Sequence, residues 1–194
     1  MRTERRLHRL EQVLRHRQPD MTVVMENIHD PHNVSAVLRS CDAAGVMDVQ
    51  LIYTDVDFPD IGKKSSASAK KWVELRRFKN VNDCYKKLHE EGFTIFATHL
   101  EKKAKSLFDV NMTKKVAIVV GNEHEGVSLE AAQSADGIIQ IPMFGMIQSL
   151  NVSVATAVIL FEAVRQRIAA GQYDKSKYSD MELTKLLKTW AMKE

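Results

Sequence analysis

Short runs of consecutive apolar residues constrain the fold of this 194-residue chain more than any other feature. The clearest are Val116–Val120 (VAIVV) and residues 22–25 (TVVM). A strand that is apolar at every position must be covered on both faces, which is typical of a parallel sheet between two layers of helices. Helix-like segments separate the runs. This alternation predicts an α/β fold with a mostly parallel sheet and helices on both faces.

The other strands and helices follow from hydrophobic periodicity and from turn and capping residues. Further strands are expected at residues 49–53, 73–78, 94–100 and 137–141. Helices are expected at residues 2–17, 32–44, 81–91, 128–134 and 151–170, and a last helix begins in the Ser-x-x-Glu capping box at 179–182. Residues 65–69 (SSASA) are expected to form a loop or a short helix. We therefore divide the chain into a basic N-terminal helix (residues 1–20), one α/β domain (21–171) and a helical C-terminal extension (172–194).

Composition excludes several classes of protein. The two cysteines, Cys41 and Cys84, form no C-x-x-C pair, so neither a disulfide framework nor a zinc ribbon is expected. The longest apolar run, residues 152–164, contains Glu162 and is shorter than the roughly 18–20 residues of a membrane span. These features predict a cytoplasmic protein with no membrane partner.

The net charge is only +3, but the basic residues are clustered. Six arginines lie within the first twenty residues, Lys63 and Lys64 form a second group with Lys70 and Lys71, and five lysines follow residue 174. Clustered positive charge predicts a polyanionic partner, most commonly nucleic acid. The alternative is that these residues form solvated helical faces.

Three polar segments follow predicted strands. They are ENIHDPHNVSAVLRS at residues 26–40, GNEHEGVS at 121–128 and PMFGMIQSLN at 142–151. In open α/β sheets, ligands bind beyond the carboxyl ends of the strands, so we expect the three segments to lie close together. The last segment begins a long helix and is richer in amide and hydroxyl groups than a plain connection requires.

Familiar catalytic motifs are absent from the sequence. It has no G-x-x-x-x-G-K-(S/T) phosphate loop, no G-x-G-x-x-G dinucleotide fingerprint and no G-x-S-x-G nucleophile elbow. His29, Asp30 and His32 resemble a metal cluster, but Pro31 makes their geometry loose, and a catalytic metal needs three or more placed ligands. We expect no metal.

The candidate site residues are an arginine, three residues with amide or hydroxyl groups, and a carboxylate: Arg39, Asn33, Ser149, Asn151 and Glu123. Arg39 can bind a phosphate through two parallel hydrogen bonds. Alternatively, Arg39 pairs with Asp42 on the surface. Asn33 can share a site with Arg39 only if it lies at the helix start, because a spacing of six residues places the two on nearly opposite sides of an ideal helix.

Each of the other candidates also has a purely structural explanation. Ser149 and Asn151 are residue types that cap helices, and a long helix follows them. Glu123 precedes the helix near Ser128, where a negative charge is favourable. Gly121 has a functional explanation, since a glycine at a strand end lets a ligand approach the backbone closely.

Taken together, the three segments resemble the three motifs of the SpoU/TrmH family of RNA ribose methyltransferases, which belongs to the SPOUT class. The matching patterns are N-x-x-x-x-x-R from Asn33 to Arg39, G-x-E-x-x-G-(V/I)-S from Gly121 to Ser128, and I-P-M-x-G-x-x-Q-S-L-N-V-S-V-A from Ile141 to Ala155. The order and separations of the motifs also fit, and the resemblance covers nearly the whole chain. Both ends of the chain resemble the branch that methylates the ribose of guanosine-18 in tRNA.

The resemblance implies features that periodicity does not show. It implies S-adenosylmethionine as the methyl donor and a deep trefoil knot in the C-terminal half, formed where residues 141–150 thread through the chain. Knots are nearly absent from proteins, so general rules of chain topology argue against one. The resemblance further implies that backbone groups near Thr98, Gly121, Ile141 and Leu150 bind the cofactor.

The resemblance also implies roles for the site residues. Arg39, assisted by an RNA phosphate, would help to remove the proton of the ribose 2'-OH, and Asn33 would position it. Glu123, Ser149 and Asn151 would complete the site. Because arginine stays protonated in proteins, two versions remain open. Arg39 is either a base, or an anchor for the phosphate that orients the hydroxyl while the proton leaves during methyl transfer.

The expected function is S-adenosylmethionine-dependent methylation of the 2'-OH of guanosine-18 in the D-loop of tRNA. A homodimer is expected, with tRNA as its partner and neither DNA nor a membrane. The basic terminal helices and the lysine group would contact the tRNA backbone. The alternatives are methylation of another RNA site, in ribosomal RNA or at a tRNA wobble nucleotide, and a catalytically silent RNA-binding relative. A nucleotide-cofactor oxidoreductase is disfavoured because the glycine fingerprint is missing.

Overall fold

The computed structural model of the chain describes residues 3–54, 58–59, 69–101, 103–122 and 124–193, with the backbone alone at residues 69 and 70. Glu123, Lys63 and Lys64 lie outside the described residues. So do residues 65–68 of the predicted loop or short helix, while residue 69 begins a short helix.

Strands and helices alternate along most of the chain. The strands are β1 (Met21–Glu26), β2 (Asp48–Ile52), β3 (Glu74–Phe78), β4 (Thr94–Thr98), β5 (Lys105–Ser106), β6 (Val116–Val120) and β7 (Gly137–Gln140). The helices are α1 (Glu4–Arg15), α2 (Pro31–Ala43), α3 (Ala69–Trp72), α4 (Val81–Glu90), α5 (Leu129–Ser134), α6 (Val152–Ala169) and α7 (Asp180–Ala191). The sequence predicted all of these except β5, the 3-10 turn after it, Leu107–Asp109, and α3, which shares only residue 69 with the predicted loop or short helix at 65–69. β5 has two residues, too few for a periodic pattern.

The seven strands found within the described residues form one parallel sheet in the order β3-β2-β1-β6-β4-β7-β5. β1 and β6 lie at its centre and are buried at every position. In the register, Val23 of β1 lies beside Val49 of β2 and Ile118 of β6. The prediction of a parallel sheet from continuously apolar strands is confirmed.

Helices cover both faces of the sheet, and successive residues of β1 enter different cores. Val23 and Met25 belong to the cluster that contains apolar residues of α2 and α6. Val24 belongs to the cluster that contains apolar residues of α4 and α5. This division explains why the central strands are apolar at consecutive positions rather than at alternate ones.

The two terminal helices pack against each other in a third apolar cluster. Leu10 and Leu14 of α1 meet Leu183 and Trp190 of α7 there. The predicted apolar face of the first helix is therefore confirmed. The capping box is present as well, since the hydroxyl of Ser179 accepts from the backbone of residue 182, whose carboxylate accepts in return from the Ser179 N–H at 2.8 Å.

Arg17 joins the α1–α7 pair to the α/β layers. Its guanidinium is 1% exposed and binds the carboxylate of Asp42 and the carbonyls of Val46 and Trp72, at 2.8 and 3.2 Å for the two carbonyls. It also lies 5.1 Å from the ring centroid of Trp190. One buried cation therefore connects the ends of α1, α2, α3 and α7.

Arg167, near the end of α6, makes a second buried connection. Its guanidinium is completely buried and donates five hydrogen bonds, to the Asp20 carboxylate, the Gln18 side chain and the carbonyls of residues 20, 112 and 114. Lys177, beyond α6, also binds the Asp20 carboxylate. Burial alone would raise the pKa of Asp20, but the Lys177 hydrogen bond and the Arg167 charge hold it below its ordinary value.

Both cysteines are buried structural residues. Cys41 belongs to the α2–α6 cluster and Cys84 to the α4–α5 cluster. Burial raises the pKa of the Cys41 thiol far above its ordinary value and that of Cys84 to about 12. Among the described residues, no helix is long and apolar enough to cross a membrane.

Candidate active site

A cavity of about 570 Å³ lies beyond the carboxyl ends of β4, β6 and β7. Its wall comes from the ends of those strands, from residues 121–122 and 124–126 and from residues 148–152 at the start of α6. Two of the three predicted polar segments therefore meet at one cavity, at the edge of the sheet where the sequence placed them. A volume of this size is in the range of ligand pockets in proteins.

The first polar segment reaches the cavity through one hydrogen bond. Asp30 caps α2 by accepting from the backbone of His32, which places Asn33 in the first helical turn. Asn33 is 8% exposed, and its side-chain oxygen accepts from Asn151 Nδ2 at 3.0 Å. Because α2 begins at Pro31, Asn33 lies at the helix start, as the sequence required for a place in the site. Its partner Asn151 lines the cavity.

Asn151 has both of the roles that the sequence left open, because it caps α6 and also lines the cavity. Its side-chain oxygen accepts from the backbone N–H of Ser153 at 2.9 Å and from the Ser153 hydroxyl at 2.6 Å, which caps α6. Its amide nitrogen remains free of the cap and donates to Asn33. Ser149, two residues earlier, lies in the cavity wall and not at the cap position.

Arg39 lies on α2 with an exposed side chain and is not part of the cavity wall. The alternative pairing with Asp42 is wrong, because the Asp42 carboxylate is bound by Arg17. Within the part of the chain that the structure describes, the Arg39 guanidinium has neither a hydrogen bond nor an ion pair. It is therefore a cation available to an external anion.

Gly121 is needed for a reason that the sequence did not reveal. A Cβ atom at this position would lie 1.9 Å from the carbonyl oxygen of Gly126 and 2.2 Å from the nitrogen of Val127. The chain folds back tightly here, because the backbones of Asn122 and Gly126 exchange two hydrogen bonds of 3.1 Å. The sequence explained this glycine by ligand access, and the structure adds a second reason, since the loop's own backbone occupies the space that a Cβ atom would need.

The Asn122 side chain stabilises the same loop. Its oxygen accepts from the backbone N–H groups of His124 and Glu125 at 2.8 and 2.7 Å. Glu123 itself lies outside the described residues, so its role stays a prediction. The residues on both sides of it line the cavity.

All four residues predicted to contact the cofactor line the cavity: Thr98, Gly121, Ile141 and Leu150. Thr98 is fixed by a 2.9 Å hydrogen bond from its hydroxyl to the Val119 carbonyl. The wall also includes other polar residues: His99, Asn122, His124, Gln140 and Gln148. Gln148 is part of the third motif in the sequence, and the other four lie at or shortly after the carboxyl end of a strand.

The His29, Asp30 and His32 group lies at the start of α2. The Asp30 carboxylate is used by the cap of that helix. Among the described residues, no group of three or more histidine, cysteine, aspartate or glutamate side chains could hold a metal ion.

Comparison with known proteins decides the family. Residues 20–161 match the family model described as the SpoU rRNA methylase family. The chain belongs to the SpoU methylase family. The match contains Asn33, Arg39 and the polar segments at 121–128 and 142–151.

Individual SpoU relatives extend the likeness to both ends of the chain. A tRNA (guanosine(18)-2'-O)-methyltransferase of Thermus thermophilus is 48% identical over 192 residues, which cover 99% of this chain and 98% of that protein. The crystal structure of the Aquifex aeolicus TrmH/SpoU tRNA modifying enzyme matches with a TM-score of 0.91 and 42% identity, over 97% of this chain and 95% of that one.

A more distant SpoU structure contains the methyl donor. AviRb from Streptomyces viridochromogenes, solved in complex with AdoMet, matches with a TM-score of 0.70 and 26% identity. The match covers 78% of this chain and 60% of that one.

Proposed function

We propose that this SpoU-family chain is a tRNA (guanosine-18) 2'-O-methyltransferase that uses S-adenosylmethionine. The observation that carries the proposal is the 48% identity to an enzyme of that name over 99% of this chain and 98% of the other. The identity includes both terminal helices, which lie outside the residues 20–161 of the family match. The same function, branch and substrate were expected from the sequence.

The cavity has the chemistry that S-adenosylmethionine requires. Leu100, Val120 and Ile159 supply apolar wall against which an adenine can pack, and the residues around them supply backbone and amide groups. We infer that Thr98, Gly121, Ile141 and Leu150 hold the cofactor through their backbone. When bound, the cofactor supplies a methyl group made electrophilic by its sulfonium.

We also infer that the chain forms a trefoil knot around this cavity. Ile141 follows β7 and Leu150 precedes α6, yet both line one cavity together with Gly121 after β6. The segment 141–150 therefore turns back on the sheet edge before α6 packs on α2. That path supports the threading that the family resemblance implies.

The residues of the chain bind and orient the RNA for methyl transfer. Arg39 anchors a phosphate next to the target ribose and thereby orients the 2'-OH. A guanidinium stays protonated in proteins, so it is better suited to binding a phosphate than to accepting a proton as a base. As the ribose oxygen takes the methyl group from the bound donor, whose sulfur keeps the electron pair of the broken bond, the hydroxyl proton passes to the neighbouring RNA phosphate or to water. Asn33 acts through Asn151 at the cavity, and Ser149 and Glu123 complete the site.

The tRNA backbone contacts the basic surface of the terminal helices. Arg5 and Arg9 are exposed on α1, opposite the leucine face that packs on α7. Arg6 is different, because its guanidinium donates to the carbonyl of Lys193 and so links the two helices. We propose residues 1–20 and 172–194 as tRNA-binding extensions of a methyltransferase domain at 21–171. A tRNA-modifying enzyme works where tRNA is, which supports the cytoplasm as its location.

The dimer expected from the family has a candidate surface on α6. Val154, Phe161 and Ile168 are 48%, 51% and 61% exposed, and they follow one another at seven-residue spacing. Apolar residues at that spacing form one stripe along a helix, which is typical of helix–helix interfaces. We propose that this α6 stripe packs against a second copy of the chain.

Methyl transfer from labelled S-adenosylmethionine to an unmodified tRNA transcript, followed by mapping of the labelled nucleotide, tests the function. Label on the ribose of guanosine-18 is expected. Label on a wobble nucleotide, or only on ribosomal RNA, would show that the proposed substrate is wrong and that the proposed methyl transfer is right. RNA binding without any transfer would support the catalytically silent alternative.

A further inference from the structure

Glu26 is a buried carboxyl group that the proposed mechanism does not use. It is the last residue of β1, at the carboxyl edge of the sheet, and is only 4% exposed. Within the described part of the chain it has no ion pair with a lysine or arginine. A buried carboxyl group is costly to keep in a core, so its hydrogen bonds indicate what it does.

Both carboxyl oxygens of Glu26 accept hydrogen bonds from one residue, Ser128. The Ser128 backbone N–H donates at 2.9 Å and its hydroxyl donates at 2.6 Å. The same hydroxyl accepts from the Ala131 N–H at 3.1 Å and so caps α5. Glu26 therefore holds the residue at which the loop after β6 ends and α5 begins.

That loop forms one wall of the cavity. It leaves β6 at Gly121, closes on itself through the paired backbones of Asn122 and Gly126, and ends at Ser128. Its first end is fixed by the sheet, since β6 pairs with β1 and β4. At its second end, the two hydrogen bonds from Ser128 to Glu26 attach the loop to β1, which is 102 residues away in the sequence.

The residue after Glu26 is hydrogen-bonded to the segment that follows β2, the strand on the other side of β1 from β6. Asn27 has a positive φ of 46°, and its side chain exchanges hydrogen bonds of 3.1 Å with the hydroxyl and the N–H of Thr54, which follows β2. The chain direction at 26–27 is thereby set, so the Glu26 side chain is held toward Ser128 rather than toward solvent.

We propose that Glu26 is a positioning residue for cofactor binding, which holds the described part of this loop, residues 124–128, in the shape that forms the cavity wall. The identity of the ligand in this proposal rests on the proposed function. The effect of Glu26 on the loop does not depend on that function. Glu26 touches neither the cavity nor the reacting atoms, and acts through Ser128.

The test compares Glu26→Gln with Thr22→Val in the full-length chain. Glutamine keeps the size of Glu26 but has one side-chain oxygen in place of two, so it cannot accept from both Ser128 donors in the same arrangement. Thr22 is buried in the same strand, at the other end of the sheet from the cavity. Its hydroxyl donates to the Asp48 carbonyl at 2.8 Å and accepts from Gln50 Nε2 at 3.1 Å. Both variants therefore lose buried hydrogen bonding, but only Glu26→Gln affects bonds that reach the loop.

Two readouts separate the proposal from a general loss of stability. Hydrogen exchange by mass spectrometry should show amides of residues 122–128 exchanging about tenfold faster in Glu26→Gln, and unchanged in Thr22→Val. Calorimetry with S-adenosylmethionine should show affinity about tenfold weaker in Glu26→Gln and unchanged in Thr22→Val. Ser128→Ala should give no further loss of affinity when combined with Glu26→Gln.

Equal loop exchange and equal affinity in Glu26→Gln and the wild type would overturn the proposal. Equal losses in Thr22→Val would overturn it too, since the effect would then be general destabilisation. If the wild type binds no S-adenosylmethionine, the proposed function fails, and the exchange of residues 122–128 alone decides whether Glu26 holds the loop.

Discussion

Asn151 Nδ2 donates a 3.0 Å hydrogen bond to Asn33 Oδ1 and thereby joins two motifs that are 118 residues apart in the chain. Asn33 lies in the first turn of α2, and Asn151 caps α6. The bond therefore fixes the starts of two helices relative to each other. It is the direct link between the first polar segment and the cavity, since Asn151 lines the cavity wall.

The Asn33–Asn151 bond predicts coupling between the two residues. Asn33→Ala removes the acceptor, and Asn151→Ser keeps a side chain that can cap α6 but removes the amide donor. Each change should lower methyl transfer at least tenfold, at a cost of about 1 kcal/mol in the free energy of unfolding. Single-turnover rates of the two variants and of their combination measure the coupling. Additive losses of free energy would show that the two residues act separately.

Arg39→Ala should abolish methyl transfer and leave the affinity for S-adenosylmethionine nearly intact, because the Arg39 side chain is exposed and outside the cavity wall. Arg39→Lys keeps the charge but loses the two parallel donors, so it should recover only a small part of the rate. Lys86→Ala, an exposed cation on α4, is the control. Transfer by Arg39→Ala at the wild-type rate would remove Arg39 from the site.

Arg5 and Arg9 should contribute to tRNA binding through the phosphate backbone. The variant with both arginines changed to glutamine should bind tRNA more weakly, and the slope of log K against log salt should become shallower by about one to two. Fluorescence anisotropy at several salt concentrations measures the slope. Arg6 is excluded from this variant because it links α1 to the end of the chain. An unchanged slope would identify this surface as a solvated helical face.

Asp20→Asn should destabilise the fold, because it leaves the completely buried Arg167 without its carboxylate. We expect a loss of about 3 kcal/mol at pH 7 in urea unfolding. The pKa of Asp20 is held below its ordinary value of 3.8, so its stabilising effect is present above pH 3.8 and is lost as the pH falls through the folded-state pKa. The difference in the free energy of unfolding between wild type and variant should therefore become smaller in acid. A difference that becomes larger in acid would contradict the lowered pKa of Asp20.

Phe161→Arg should convert the proposed dimer to a monomer, because it places a charge in the middle of the α6 stripe. Sedimentation velocity at micromolar concentration measures the change. Met181→Arg is the matched control, since Met181 is 82% exposed but lies on α7, away from the stripe. A wild-type chain that sediments as a monomer would remove the dimer from the proposal.

Much of the fold was predictable because its signals are local. VAIVV and TVVM are apolar at consecutive positions, and only a strand covered on both faces uses such a pattern. Ser179 and Glu182 form their capping box within one helical turn, so the start of α7 depended on four adjacent residues. The short strand β5 was missed for the converse reason, since its two polar residues pair with β7 through tertiary contacts.

The sequence predicted that polar segments would meet beyond the carboxyl ends of the strands, but not how their side chains would be paired. The sequence identified Asn33, Ser149 and Asn151, yet it could not decide between capping and site formation for Asn151, which the structure shows doing both. It explained Gly121 by ligand access, and only the structure showed that the close backbone of Gly126 also requires a glycine there. It offered Asp42 as a partner for Arg39, but Arg17 takes that carboxylate from a position 25 residues away in the chain.

The sequence by itself determined the α/β class, the approximate positions of most helices and strands, and the family motifs, because periodicity, caps and motif spacing are properties of neighbouring residues. Only the tertiary structure decided which polar groups are consumed by the fold and which stay available to a ligand. Glu26 and Ser128 meet across 102 residues, and Asn33 and Asn151 across 118. Such pairs depend on strand order and helix packing, and no local pattern encodes them.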